Sequence, residues 1–418
     1  MRVFSGSAAG VCDPGFCKNT PASERPATVR QRALSPGFLI AVVAIAFAPS
    51  GSQADAPAEP VRTPLYTSGK EGFGRVRIPA LIVSQKGTVL AFCEGRHKPS
   101  GLTGDIDLLL KRSTDDGRSW QPLQIVADDG PNTLGNPCPV IDQTTGTIWL
   151  PFTRSLGPDT ETQITEGTSK GTTKVWLTKS TDDGATWAKP IDITETTKLA
   201  NWTWYGTGPG IGVQMPSGRL VIPSYHAEAG TQMYKSHMIF SDDHGASWKL
   251  GQTIGDYTAE CQVALLSNDV LLLNARTIEG GGEFRSIATS GDGGSTWTKP
   301  TLDTHLPEPH CQGCVYVLTD GKDGHKRRML FLNPPGPGPH RREITLRLSY
   351  DEGKTWPIAK KLDHGPSAYS CLALLPDGTI GCLYERGDTR NDQEISFAKF
   401  TLEWLTDGKD SLAASTER

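Results

Sequence analysis

At 418 residues, with 36% apolar and 21% charged side chains, the chain is long enough to bury a substantial core. Its formal net charge of -4 argues against a nucleic-acid or anionic-membrane surface, which needs a basic excess, so any anion site must be built locally.

The opening segment differs from the rest. Arg25, Arg30 and Arg32 precede the apolar run FLIAVVAIAF (38–47), and small residues at Ala54 and Ala56 follow. A charged region, an apolar core and a small-residue exit predict a secretory signal and leader over residues 1–56, and hence an exported protein, periplasmic or extracellular. The run is shorter than the roughly 20 residues a membrane span requires, so no span is expected after signal removal. Cys12 and Cys17 leave with the leader. The seven remaining cysteines are odd in number and scattered, without the spacing of a disulfide framework.

Beyond the leader, one octet recurs: STDDGRSW (Ser113 to Trp120), STDDGATW (Ser180 to Trp187), SDDHGASW (Ser241 to Trp248), SGDGGSTW (Ser290 to Trp297) and SYDEGKTW (Ser349 to Trp356). The copies start 67, 61, 49 and 59 residues apart, a period that signals a repeat architecture. Each follows an apolar run such as IDLLLKR or ITLRL and precedes another extended stretch, as a hairpin turn should. Aspartate accepts loop amides, glycine supplies positive φ, and tryptophan covers a sheet face, which are all structural jobs.

Blades of this size predict an all-β, six-bladed β-propeller spanning residues 57–405, its sixth blade closed by both chain ends. VRTPLYTSG supplies one end and EISFAKFTLEWL the other. Residues 406–418 form a tail.

A second set of stretches lies between the octets. In chain order they are RVRIPAL (75–81), FCEGR (92–96), WYGTGPG (204–210), RLVIPSYH (219–226), AECQVALL (259–266), LLNAR (272–276), HCQGC (310–314), HRREITLRL (340–348), AYSCLALL (368–375) and LYERG (383–387). In HCQGC, His310, Cys311 and Cys314 lack the fourth ligand of a structural zinc site, so no metal is expected there; no organic cofactor is expected either.

The octets resemble Asp-boxes. The order and content of the other motifs, over about residues 62–405, resemble the exo-α-sialidase (neuraminidase) family of retaining glycosidases. That resemblance implies hydrolysis of terminal sialic acids from glycoconjugates, with sialylated glycans as partners. A sugar whose anomeric carbon carries a carboxylate calls for fixed, fork-shaped positive charge, which arginine supplies and lysine does not. The family's carboxylate-gripping triad falls on Arg77, Arg276 and Arg341, with Arg342 the alternative to the last. An anionic nucleophile would be repelled by that carboxylate, and the family uses a tyrosine activated by a glutamate. The matching residues are Tyr369 and Glu260.

By the same resemblance, Glu385 buttresses the first arginine and Arg96 lies near the ring substituents. Gln312 matches a family glutamine, and Tyr205, with Trp204, Tyr225 and His226, falls on strand ends lining the cleft. One position departs from the pattern. Relatives carry an acid/base aspartate five or six residues after the arginine matching Arg96, where this chain has Gly101 and Leu102. Asp105 is then the candidate acid/base, although GDIDL also reads as strand entry. The departure leaves open a non-catalytic or weakly active sialic-acid-binding propeller.

Overall fold

The structure, a computed structural model, describes residues 57–412 except 99–100, 102, 232, 323–325 and 337–339. The predicted signal and residues 413–418 of the predicted tail lie outside these residues. None of the described helices is long and apolar enough to cross a membrane.

Strands dominate, in a propeller-like, all-β arrangement of antiparallel meanders. Five hydrogen-bonded sheets occur among the described residues, with four, nine, five, four and four strands. One four-stranded sheet joins the two ends of the fold: Val61–Thr67 pairs with Glu394–Phe400, which continues through Ile380–Arg386 to Ser367–Leu374.

The nine-stranded sheet differs from the three four-stranded ones for a local reason. It holds two meanders, one built on Arg75–Val83, Val89–Arg96 and Ile106–Ser113, the other on Ile148–Ser155 and Lys174–Ser180. Thr133 pairs antiparallel with Ser155 and makes one parallel bridge to Ile106, which merges the two.

The five octets adopt one repeated geometry. In the second, the Ser180 hydroxyl donates to Asp182 (2.7 Å) and accepts the Gly184 amide (2.9 Å). Asp182 in turn accepts the Thr186 amide at 2.9 Å and the Thr186 hydroxyl at 2.5 Å. The same bonds recur at Ser113/Asp115, Ser241/Asp243, Ser290/Asp292 and Ser349/Asp351.

The octet also locks neighbouring meanders together. Trp187 meets Phe92 edge-on at 5.7 Å, and Trp248 meets Trp149 at 6.5 Å. Gly184 has φ +77, and a Cβ there would lie 2.3 Å from Leu90, so conformation and contact both demand glycine. Apolar clusters fill the spaces between adjacent meanders, as at Phe92, Leu108, Leu150 and Phe152. Covering each sheet with the next is what buries both faces of every blade.

Candidate active site

Four innermost strands change register where they meet one cavity. The shifts fall between Arg77 and Ala80, Trp202 and Tyr205, Thr258 and Cys261, and Ser367 and Ser370. A bulge inserts an extra residue and re-aims side chains. Inside the four intervals lie Ile78, Trp204, Glu260 and Tyr369, all of which line the cavity. Ile78 carries the cost, since its φ of 62 is a left-handed conformation that a β-branched residue rarely adopts. Its amide donates to Glu385 at 2.8 Å, which holds it there.

The cavity measures about 340 Å³, within the range that encloses a small-molecule ligand. Tyr369 and Glu260 face each other across it, the Tyr369 hydroxyl donating to Glu260 Oε1. Arg276 Nη1 donates to Glu260 Oε2 at 2.6 Å and lies 3.2 Å from the tyrosine oxygen. The guanidinium carbons of Arg77 and Arg341 stand 4.9 and 5.6 Å from the Tyr369 ring centre. Three arginines therefore surround one phenol. Arg341 is the half-buried member of its pair, whereas Arg342 is exposed.

Donor capacity is left over. The buried Arg276 Nε has no partner among the described residues. Arg77 spends Nε and Nη2 on Glu385 (2.7 and 3.0 Å), and Arg341 donates Nη2 to the His310 carbonyl.

Burial raises the Tyr369 phenol far above its ordinary range, the charge of Glu260 adds to this, and Arg276 and Arg341 only partly oppose it. Burial also pushes the Glu260 carboxyl up, but the Arg276 charge and the hydrogen bonds from Tyr369 and Arg276 hold it below the usual carboxylate range. The resting pair is thus a neutral phenol donating to a carboxylate. An acceptor already bonded to the hydroxyl is the arrangement that removes its proton during attack.

The remaining expected residues divide into those at the cavity and those behind it. Arg96 lines it, held by Glu94 Oε2 (3.1 and 2.6 Å) and the Gly101 carbonyl (2.8 Å). Glu385 is fully buried behind Arg77 and also accepts the Tyr369 amide at 3.3 Å. Gln312 lies beneath the floor, bonding both backbone groups of Ser370. Tyr205 is completely buried in an apolar cluster, and its neighbour Trp204 takes the cavity position. Tyr225 lines the cavity, while His226 stacks on Trp202 at 3.4 Å and bonds His237.

Asp105 is not brought to the cavity. Arg96 pairs with Ile106 and Gly95 with Asp107, so strand alternation puts Asp105 and Asp107 on the opposite face from Arg96. There Asp107 bonds His97 at 2.9 Å and Asp105 approaches it to 3.5 Å. His97, Asp105 and Asp107 are the one group of three clustered potential metal ligands among the described residues. The bond to Asp107 raises the His97 pKa, while burial raises that of Asp107.

Glu94, Asn136, Glu161 and Tyr234 also line the cavity and were not singled out from sequence. Glu94 had a signal: it stands two residues before Arg96 on one strand, and that spacing places opposite charges on one face. For Glu161 the sequence marks only a helix start, since TETQ is a capping box, realised with Thr160 as N-cap and Gln163 at N3.

The family description "BNR repeat-like domain" matches residues 87–382. A sialidase from Micromonospora viridifaciens is 32% identical over 89% of this chain, and the chain spans 59% of that relative. An exo-alpha-sialidase from Aspergillus fumigatus is 31% identical, with 81% of this chain and 87% of the relative covered. The solved structure titled Hadza microbial sialidase Hz136 superimposes with a TM-score of 0.76 at 32% identity, over 82% of this chain and 69% of that one. With Tyr369, Glu260 and three arginines gathered in one cavity of such a fold, the chain belongs to the sialidase family.

Proposed function

We propose that this protein is an exo-sialidase that hydrolyses terminal sialic acids from glycoconjugates through a tyrosyl-enzyme intermediate. The observation that carries the reading is the Tyr369–Glu260 hydrogen bond enclosed by Arg77, Arg276 and Arg341. In this reading the three guanidinium groups hold the substrate carboxylate and set the anomeric carbon against the Tyr369 oxygen. Glu260 accepts the phenolic proton as the oxygen attacks. Arg276 offsets the charge gathered on that pair, while Glu385 fixes Arg77 and the tyrosine backbone together. Arg96, held by Glu94, faces the ring substituents, and Gln312 supports the floor.

We read the fold as six blades, dividing the nine-stranded sheet at its single parallel bridge and counting the sheet that joins the chain ends as the sixth. Residues 57–405 form this propeller. The leader directs export, so the substrates are extracellular or periplasmic glycans.

The direct test is release of sialic acid from sialyl-lactose by the purified mature protein, with the first-formed anomer followed by NMR. Retention and loss of turnover in Tyr369→Phe are expected. Inversion would remove the tyrosyl intermediate. Binding without turnover on any sialoside would replace the enzyme with a lectin-like propeller.

A further inference from the structure

Hydrolysis of a natural glycoside needs a proton on the departing oxygen, and the position where relatives carry an aspartate is here occupied by Gly101 and Leu102. Asp105 faces away. Three carboxyl groups line the cavity among the described residues: Glu94, Glu161 and Glu260. Glu94 is fixed on Arg96 at 2.6 Å, and Glu260 on Arg276 at 2.6 Å. Glu94 is thereby engaged with Arg96. Burial pushes Glu260 up, but the Arg276 charge and the bonds from Tyr369 and Arg276 hold it below the usual carboxylate range, which makes it a poor proton donor.

Glu161 is different. It opens the short helix Glu161–Glu166, between strands Ile148–Ser155 and Lys174–Ser180, and makes no salt bridge to any described residue. Its Oε1 accepts a 2.8 Å hydrogen bond from the Tyr234 hydroxyl, which lies 3.3 Å from the Thr165 hydroxyl. The ionisable groups that act on it come from four strands: Arg96, Tyr234, Glu260 and Arg276; Glu161 in turn adds to the burial that raises the Tyr225 pKa. The strand beneath the helix, Trp202–Thr207, offers Thr203, bonded to the Thr165 carbonyl, and no charged side chain.

Burial raises the Glu161 pKa, the charge of Glu260 adds to this, and the Tyr234 bond and the more distant Arg276 and Arg96 oppose it. A carboxyl that keeps its proton to higher pH than Glu260, inside the same cavity, has the property the reaction lacks.

We propose that Glu161 is the general acid and base of this site, in the role for which Leu102 has no proton. This rests on the sialidase reading. In the first step the carbon–oxygen bond to the leaving group breaks as the Tyr369 oxygen bonds the anomeric carbon. The Glu161 carboxyl gives its proton to the leaving oxygen, and Glu260 takes the phenolic proton. In the second, the Glu161 carboxylate takes a proton from water as the water oxygen bonds that carbon. The bond to Tyr369 breaks, and Glu260 returns its proton to the phenolate. Sialic acid and the free alcohol result, with every residue restored.

The test is Glu161→Gln, assayed on 4-nitrophenyl sialoside and on sialyl-lactose. An aryl oxide leaves with little help, whereas a sugar alkoxide does not. kcat/KM for sialyl-lactose is expected to fall about 10²- to 10⁴-fold and that for the aryl substrate less than about 10-fold. Affinity for a planar, unsaturated sialic acid analogue and the melting temperature serve as controls and should hold.

Wild-type activity on sialyl-lactose should fall as pH rises through the Glu161 pKa, and this alkaline limb should vanish in Glu161→Gln. Tyr234→Phe removes a donor that favours the carboxylate and should move the limb to higher pH, which keeps the proposal testable if the glutamine variant fails to fold. Equal losses on both substrates, together with weaker analogue binding, would make Glu161 a positioning residue and overturn the proposal. Unchanged turnover of sialyl-lactose would also overturn it. A wild type that cleaves only the aryl sialoside would show that no acid is in place while preserving the sialidase reading. Inactivity on both substrates would remove that reading and the proposal with it.

Discussion

The Ser/Asp turns and the cavity draw on the same polar chemistry and use it in opposite ways. In the turn at Ser180, the hydroxyl, the carboxylate and the loop amides satisfy one another within a few residues, and Trp187 and Gly184 seat the turn on the neighbouring meander. In the cavity, Tyr369, Glu260 and Arg276 come from three different strands, and the buried Arg276 Nε is left without a partner among the described residues. Local closure repeated five times specifies a scaffold. Long-range convergence with a spare donor costs stability until an anion completes it, because an unpartnered buried donor carries its desolvation penalty until one arrives.

That contrast breaks first at the tyrosine. Tyr369→Phe deletes one oxygen and keeps the ring against Ile78, Cys311 and Ala368, so the melting temperature should stay within a few degrees of wild type. Turnover of an aryl sialoside should fall at least about 10³-fold, since nucleophile and proton are lost together. A large loss of stability with little loss of turnover would put Tyr369 on the scaffold side.

Glu260→Gln keeps the shape but not the base, and should cost about 10²- to 10⁴-fold in kcat. A smaller effect belongs to Arg276→Ala. Binding of a planar, unsaturated sialic acid analogue should weaken by about 2 kcal/mol, the scale of one buried, charged hydrogen-bond partner. Unchanged affinity in calorimetry would remove Arg276 from the site.

The repeat and the turns were legible in the sequence because their bonds are local: Ser, Asp and Gly at fixed offsets carry the whole geometry. The residues gathered round the phenol were legible only through resemblance, since no spacing in the chain relates Arg77 to Glu385 or Glu260 to Tyr369. What stayed hidden was decided by backbone register. The shift between Trp202 and Tyr205 breaks the period of two, sends Trp204 to the cavity and buries Tyr205. Unbroken pairing between Val89–Arg96 and Ile106–Ser113 fixes Asp105 on the far face. Glu161 rides on a six-residue helix between strands, where no periodic pattern points inward. The merging of two meanders depends on the one bridge from Thr133 to Ile106, which composition does not encode.

The smallest effects should come from the scaffold. Ser180 is buried, and Ser180→Ala leaves the buried Gly184 amide without its acceptor. About 1–3 kcal/mol of stability should be lost, read from the denaturant midpoint, with kcat per folded molecule unchanged.

Acid should act on the same turns together. The Thr186 hydroxyl and then the Thr186 amide lower the Asp182 pKa to about 2. Asp292 also reaches about 2: burial opposes the shift, but bonds from Thr296 and Ser290 outweigh it. A carboxyl depressed in the folded state contributes stability that is complete above its unfolded pKa, about 3.9, and is lost as pH falls through the folded value. The melting temperature should therefore drop between about pH 4 and pH 2, and less steeply in Asp182→Asn/Asp292→Asn, whose turns no longer have that proton to take up. These aspartates are largely exposed, so the change in slope per turn should be small and should emerge only when several are replaced. An acid profile identical in wild type and the double variant would assign the loss to buried pairs such as Arg276–Glu260 instead, and the division between self-satisfied turns and the convergent centre would then have to be drawn elsewhere.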